Sequence, residues 1–227
     1  MNIIAIETSA ETASVALWRD GAVSWRRGGP AGTHSAHVLP WIGQLLDEAQ
    51  LTLSGLDAVA FGSGPGAFTG LRLAVSVAQG LALGADLALI GVPSLEAMAF
   101  ASGTGEVYCC VDARMNEVYC AAYRVDDDVR TLIEPCVRAP AQVPGALAGW
   151  RGLGNGFAVW HAELEPLRAQ LRTCDSGAVA DAAAVAALAA LRLARGDRLD
   201  AAHAAPLYVR DKVALTTAER LATGGRA

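Results

Sequence analysis

The chain has 227 residues, 53% hydrophobic and 18% charged, with a formal net charge of −5 at pH 7. That length supports one large domain or two small ones with a real core, and the composition excludes disorder. The acidic balance argues against a chain that grips nucleic acid by itself, and Leu73 to Val92, the nearest approach to a membrane span, is interrupted by Ser76, Gln79, Gly80, Gly84 and Asp86.

The opening MNIIAIETS has no basic segment ahead of its apolar residues, so no signal peptide is expected. Five cysteines without a Cys-x-x-Cys spacing give no disulfide framework. A reduced, cytoplasmic protein outside the membrane is the expectation.

In chain order, IIAIETS reads as a strand ending at an acid. SVALWRDG alternates and stops at Asp20-Gly21, a hairpin signal, and AVSWRR makes a third strand. Thr33 or Ser35 caps a helix through Ala49, with Val38, Trp41, Ile42, Leu45, Leu46 and Ala49 at helical spacing. Leu56 to Phe61 is a short buried strand entering the glycine-rich GSGPGAFTG, followed by a helix from Phe68 to Leu83. LALIGVP is another strand, and Ser94 caps a helix through Ala101.

GTGE at 103–106 marks a boundary, giving an N-terminal lobe of residues 1–104 and a C-terminal lobe of 105–227, whose last segment is expected to pack back on the first lobe. Beyond it EVYCCVDARMNEVYCAAYRVDDD repeats the opening theme: strand, acid (Asp112 for Glu7), turn, return strand. A strand at Leu132–Val137, a strand-like GFAVW, an Ala-rich helix between Asp181 and Arg195-Gly196, a last strand or extended segment PLYVRDKVAL and a frayed ERLATGGRA complete the chain. Strands and helices alternate in both halves, so the class is α/β.

The glycine loop imitates two nucleotide motifs and satisfies neither. A phosphate-binding G-x-x-x-x-G-K-[ST] needs lysine after its last glycine, but Leu71 follows Gly70 and Lys212 is the chain's one lysine. Gly62-Ser-Gly64-Pro-Gly66-Ala67 fits G-x-G-x-x-G/A, yet Asp86 precedes the next strand instead of ending it, and Pro65 removes an N–H that would face phosphate. Two readings stay open, a tight turn laying the next helix against the sheet or an anion site at that helix's N-terminus. Glu7, Thr8 and Asp112 are candidates for positioning nucleotide, metal or water between the lobes, or are polar strand ends without that role. The turns after them lack the glycine that a phosphate-wrapping hairpin usually needs. His34 and His37 have no Cys, Asp or Glu within a few residues and are not read as metal ligands, and Cys109, Cys110 and Cys120 read as packed thiols. The helix after the glycine loop is apolar nearly all round, with small residues at Gly70, Ala74, Ala78 and Ala82. Such a helix is covered on both sides, either within its own fold or by another chain.

MNIIAIETSAETASVAL, HSAHVLPWIGQLL, GSGPGAFTGLRLAVSVAQGLALG, LIGVPSLEAMA and VDARMNEVY together resemble the TsaB (YeaZ) family of tRNA threonylcarbamoyladenosine biosynthesis proteins. The likeness runs in order over residues 1–125 and is looser beyond, where GLGNGF and PLYVRDKVA resemble later segments; Ala67 stands where the family more often has serine. The resemblance implies an actin-like ATPase (ASKHA) fold of two similar lobes from an internal duplication, with mixed sheets flanked by helices. It implies a noncatalytic dimerisation subunit without cofactor, paired with a TsaD-like catalytic paralogue and a TsaE-like small ATPase, meeting tRNA only indirectly and able to pair with itself when alone. Ser94 and Met98 hold the positions of the paralogue's two metal-binding histidines, and neither replaces imidazole. By the same resemblance the partner interface falls on Leu39, Trp41, Ile42, Leu45 and Leu46 of the first helix and Leu71, Arg72, Val75 and Gln79 of the second. The rival readings are an autonomous actin-like ATPase or small-molecule kinase, a peptidase, which has no candidate nucleophile or metal set, and a direct tRNA-binding module.

Overall fold

The computed structural model describes residues 1–29 and 32–210. β1 (Asn2–Glu7), β2 (Ala13–Arg19) and β3 (Ala22–Gly28) form an antiparallel meander. Asp20 and Gly21 both take positive φ (47° and 94°), as a two-residue turn matched to the right-handed strand twist requires. Helix α1 (His34–Glu48) crosses back to β4 (Ala58–Gly64), parallel to β1, and α2 (Phe68–Ala85) crosses to β5 (Ala88–Pro93). The sheet order is β3-β2-β1-β4-β5.

After α3 (Ser94–Ala101) the plan restarts. β6 (Gly105–Arg114), β7 (Glu117–Val125) and β8 (Val129–Arg138) make a second meander; β9 (Arg151–Leu153) lies parallel to β6, and β10 (Thr173–Asp175) parallel to β9. Its order, β10-β9-β6-β7-β8, is the first order repeated. Two mixed sheets of one topology, flanked by helices, make this a duplicated actin-like α/β fold. The short helices α4 (Gly156–Val159) and α5 (Glu165–Arg168) both lie in the β9–β10 crossover, where the first half has the single long helix α2.

The first sheet is apolar on both faces, which is why its strands read as continuous hydrophobic runs. Ile4, Ile6, Val15 and Leu17 point to α1 and α2, while Ile3, Ala5, Ala16, Ala58 and Ala60 point to α6 (Ala182–Ala194). The second layer of the first sheet therefore comes from far along the chain. Alanines on both the helix and the strands let α6 lie close, and Asp181 caps it by accepting the Ala184 N–H (2.9 Å). Arg192 of α6 donates two bonds to the buried Glu96 carboxylate of α3 (2.7 and 2.8 Å). α3 itself touches β4 and β5 on one side and β6, β7 and β8 on the other. At its end the Arg151 guanidinium donates to the carbonyls of Ser102, Gly103 and Thr104, fixing the crossover between halves.

Two readings change. GFAVW is helical, not a strand: the chain turns at Gly154 (φ 107°) and Asn155 into α4, with Trp160 ending it. Ser94 is the first residue of α3, and its hydroxyl faces Glu7 instead of capping the helix. Residues 206–210 are extended but unpaired in any sheet, and the rest of PLYVRDKVAL, with ERLATGGRA, lies outside the described residues.

β4 continues through Gly62 to Gly64, with an irregularity in its ladder between them, and the turn proper is Pro65-Gly66-Ala67. Its glycines serve close approach. A Cβ on Gly66 would lie 2.5 Å from Ser9 Cβ, and one on Gly70 only 1.9 Å from the Thr8 carbonyl oxygen. The helix start is thus pressed onto the β1–β2 turn and bonded to it, Ala67 N–H to Ser9 O (2.8 Å) and Thr8 Oγ1 to Gly70 O (2.7 Å). Gly70→Ala is expected to cost about 3 kcal/mol or more, because neither backbone can give way. Gly80→Ala on the same helix meets no atom within 4 Å and should gain up to about 1 kcal/mol. Urea unfolding of the two variants measures the contrast.

Candidate functional site: the cleft between the sheets and the outer faces of α1 and α2

A cleft of about 650 Å³ opens between the two sheets. The β1–β2 turn, the start of α2, the start of α3, the β6–β7 turn and residues 207–210 wall it. Each sequence candidate for chemistry stands at or behind this wall, and each is held in a bond within the chain.

Glu7 ends β1 with its side chain fully buried. The Ser9 N–H donates to Oε1 (2.6 Å), and the Ser94 hydroxyl donates to Oε2 (2.7 Å) while accepting the Gly64 N–H (3.1 Å). The space for this carboxyl exists because residue 62 is glycine: a Cβ there would sit 1.9 Å from Oε2. Burial pushes the Glu7 carboxyl above its ordinary value, against the lowering effect of its Ser9 and Ser94 donors. Thr8, equally buried, spends its hydroxyl on Gly70. Met98 is buried among Leu95, Ala99, Val107 and Tyr123, so Ser94 presents a hydroxyl already engaged and Met98 a thioether in the core.

Asp112 stands two residues before the end of β6 in the second half, where the ladder with β7 becomes irregular. Its carboxylate accepts from Trp160 Nε1 (3.1 Å) and the Arg114 N–H (3.2 Å), and its own N–H donates to Asn155 Oδ1 (2.9 Å). The turn beyond carries Arg114, Met115 and Asn116 at φ 60°, 55° and 59°. Left-handed backbone is therefore present there without glycine, at the steric cost side chains impose, and glycine content was a poor guide to this turn. His34 donates to the Glu11 carbonyl (3.1 Å) and braces the first turn, and His37 stacks on Trp41.

Residues 207–210 cross the mouth of the cleft. Leu207 N–H bonds to Ser63 O (2.7 Å), Tyr208 receives the Arg72 Nε–H (3.3 Å) and packs on Phe68, and Arg210 reaches Ala113 O (3.1 Å) and Glu117 (2.6 Å). The strap ties α2 to the β6–β7 turn.

The predicted interface residues divide by burial. Ile42, Leu45, Leu46, Leu71 and Val75 are core residues of this chain. The stripe Gly70, Ala74, Ala78 and Ala82 also faces inward. Leu39 is 55% exposed, Trp41 is half-buried, Arg72 is exposed, and Gln79 donates to the carbonyls of Ala201 and Ala204 (2.8 and 3.1 Å). One flank of α2 is thus covered by its own chain. Its other outer positions, Ser76, Gly80, Leu83 and Gly84, are exposed, as are Gly43 and Gln44 of α1.

Glu7 sets a pH dependence. With its value raised in the fold, its contribution to stability is full below the ordinary 4.5 and is lost as pH rises through the raised value. Glu7→Gln carries no such loss, so its thermal midpoint relative to wild type should climb from acid to neutral pH. A difference that stays flat contradicts a desolvated carboxyl.

The family model described as TsaD, tRNA N6-adenosine threonylcarbamoyltransferase, matches residues 30–156. The tRNA threonylcarbamoyladenosine biosynthesis protein TsaB of Escherichia coli is 34% identical over 94% of this chain and 96% of its own length. The protein of the same description from Haemophilus influenzae is 34% identical over 94% and 95%. The solved structure of YeaZ from Pseudomonas aeruginosa superposes with a TM-score of 0.84 at 34% identity, covering 91% of this chain and 99% of that one.

Proposed function

The chain belongs to the TsaB family of tRNA threonylcarbamoyladenosine biosynthesis proteins, and from that membership we propose that it is the noncatalytic dimerisation and scaffold subunit of the cytoplasmic complex that places threonylcarbamoyl on the adenosine beside the tRNA anticodon. Its proposed partners are a TsaD-like catalytic paralogue, which it activates, and a TsaE-like small ATPase. It meets tRNA only through them, and pairs with itself when alone.

The observation that carries this reading is the uncovered outer face of α1 and α2. Leu39 and Leu83 stand 55% and 64% exposed there, beside Gly43 and Gly80, whose missing side chains leave open space. Small residues allow a second helix to come close, and exposed leucines reward it with apolar burial. In this reading the first lobe, residues 1–104 with α6 against it, presents the docking face. The core residues Ile42, Leu45, Leu46, Leu71 and Val75 support that face from behind, while Leu39, Trp41, Arg72 and Gln79 stand at or near its surface.

The fate of the cleft residues supports the absence of chemistry. The Glu7 carboxyl is sealed from the cleft, Ser94 is bonded to it, and Asp112 is taken up by Trp160 and its own turn. Docking on α1 and α2 acts on the catalytic paralogue by contact: it holds that protein in its active arrangement and completes the surface on which the small ATPase sits.

A charge at Leu45 or Val75 would test folding, since both are core. The informative variants are Leu39→Asp and Ser76→Arg, at exposed positions. Each is expected to keep the wild-type melting midpoint and to lose co-purification with the paralogue. A complex that survives both overturns the assigned face.

A further inference from the structure

The five cysteines are all free, and two of them face each other. Cys120 on β7 and Cys136 on β8 are directly opposed in the antiparallel ladder, with their sulfurs 3.4 Å apart. Opposed residues of an antiparallel pair have Cα atoms about 4.5–5.5 Å apart, within the span a disulfide bridges. The remaining motion is the closing of the two sulfurs from contact to bonding distance. β8 is an edge strand of its sheet, and its ladder with β7 is irregular just beyond this pair, between Cys120 and Ala122. The site is thus at a margin of the sheet with room to adjust.

We propose that Cys120 and Cys136 form a reversible disulfide when the chain meets a low-molecular-weight disulfide such as oxidised glutathione. The two sulfurs differ in access. Cys136 is partly exposed on the edge strand, whereas Cys120 is buried and is pushed up to about 12, chiefly by that burial. Cys136 is therefore the sulfur that meets the oxidant. Its thiolate attacks one sulfur of oxidised glutathione, forming a mixed disulfide and expelling one glutathione thiolate. Cys120 then gives up its proton and attacks Cys136 Sγ, expelling the second glutathione. Two protein thiols are oxidised, one glutathione disulfide is reduced to two glutathiones, and the protons pass to the departing thiolates.

The neighbouring thiols are placed differently. Cys109 packs with Leu95, Ala121 and Tyr123 and donates to the Leu95 carbonyl (3.4 Å), on the opposite face of the second sheet. Cys110 opposes Cys120 from the other side, but its sulfur lies against Gly156 at the start of α4. Cys174 lies against Gly152 on β9. The bond would close the turn between β7 and β8 and staple the edge strand, an arrangement independent of any reading of the docking face.

The test uses the full chain under native conditions. Reduced protein is incubated with oxidised glutathione, remaining thiols are alkylated after denaturation, and intact mass and the linked peptides are read. Wild type is expected to lose two of its five thiols, to retain no glutathione, to yield a Cys120–Cys136 peptide and to recover fully with dithiothreitol. Cys120→Ser should stop with one glutathione on Cys136, and Cys136→Ser should keep all its remaining thiols. The disulfide form should melt several degrees higher. Five free thiols in treated wild type, or loss of two thiols that persists in Cys136→Ser, overturns the proposal.

Discussion

One buried carboxyl organises the end of the first sheet that faces the cleft. Glu7 needs a space that Gly62 alone leaves open, a donor from the turn that follows it and a donor from Ser94 at the start of α3. Those three demands join the end of β1 to the end of β4 and to the β5–α3 junction. A carboxyl lowered into apolar surroundings without donors would be strongly unfavourable, so loss of any one of them is felt by the others. The tight seat of α2 on the β1–β2 turn, through Gly66 and Gly70, belongs to the same joint.

The two halves share a topology and differ in what became of their acidic turns. In the first, the turn is clamped under a helix and its acid is withdrawn from the cleft. In the second, the turn projects with three left-handed side-chain-bearing residues, held by Asp112 from below and by Arg210 from across the cleft. Left-handed backbone of this kind persists only where surrounding bonds over-determine it. The strap supplies part of that surrounding, and through Tyr208 and Arg72 it also touches α2. The helix proposed to meet the catalytic paralogue is thereby mechanically connected to the far lobe.

Much of this was legible in the residues themselves. The Asp20-Gly21 hairpin, the Asp181 cap and the repeated strand–acid–turn opening each rest on local chemistry that tertiary context did not overrule. The missing lysine and Pro65 remove the phosphate motifs that the glycine loop imitates, and of the two readings left open the contacts at Gly66 and Gly70 support close packing. What escaped were facts of three-dimensional placement. Apolar periodicity on α1 and α2 could not divide core positions such as Leu45 from exposed ones such as Leu39. GFAVW has strand composition, but Gly154 and Asn155 send it into a helical turn. An Ala-rich helix near residue 190 carries no mark that its partner is a sheet begun at residue 2, and nothing in PLYVR says that Arg210 reaches Ala113.

On the reading proposed here the cleft is inherited architecture, and function resides in the outer face of two helices. The most direct measurement is threonylcarbamoyl transfer to tRNA in a mixture reconstituted with the catalytic paralogue and the small ATPase, comparing wild type with Asp112→Asn. That substitution keeps the oxygen that accepts from Trp160 Nε1 and the Arg114 N–H, and removes the Asp112 charge together with its ion pair to the Arg114 guanidinium. The account expects an unchanged rate with an intact complex. A fall of about tenfold or more, a loss of about 1.4 kcal/mol of transition-state stabilisation, with assembly unaffected would contradict it and make the cleft a participant in the chemistry.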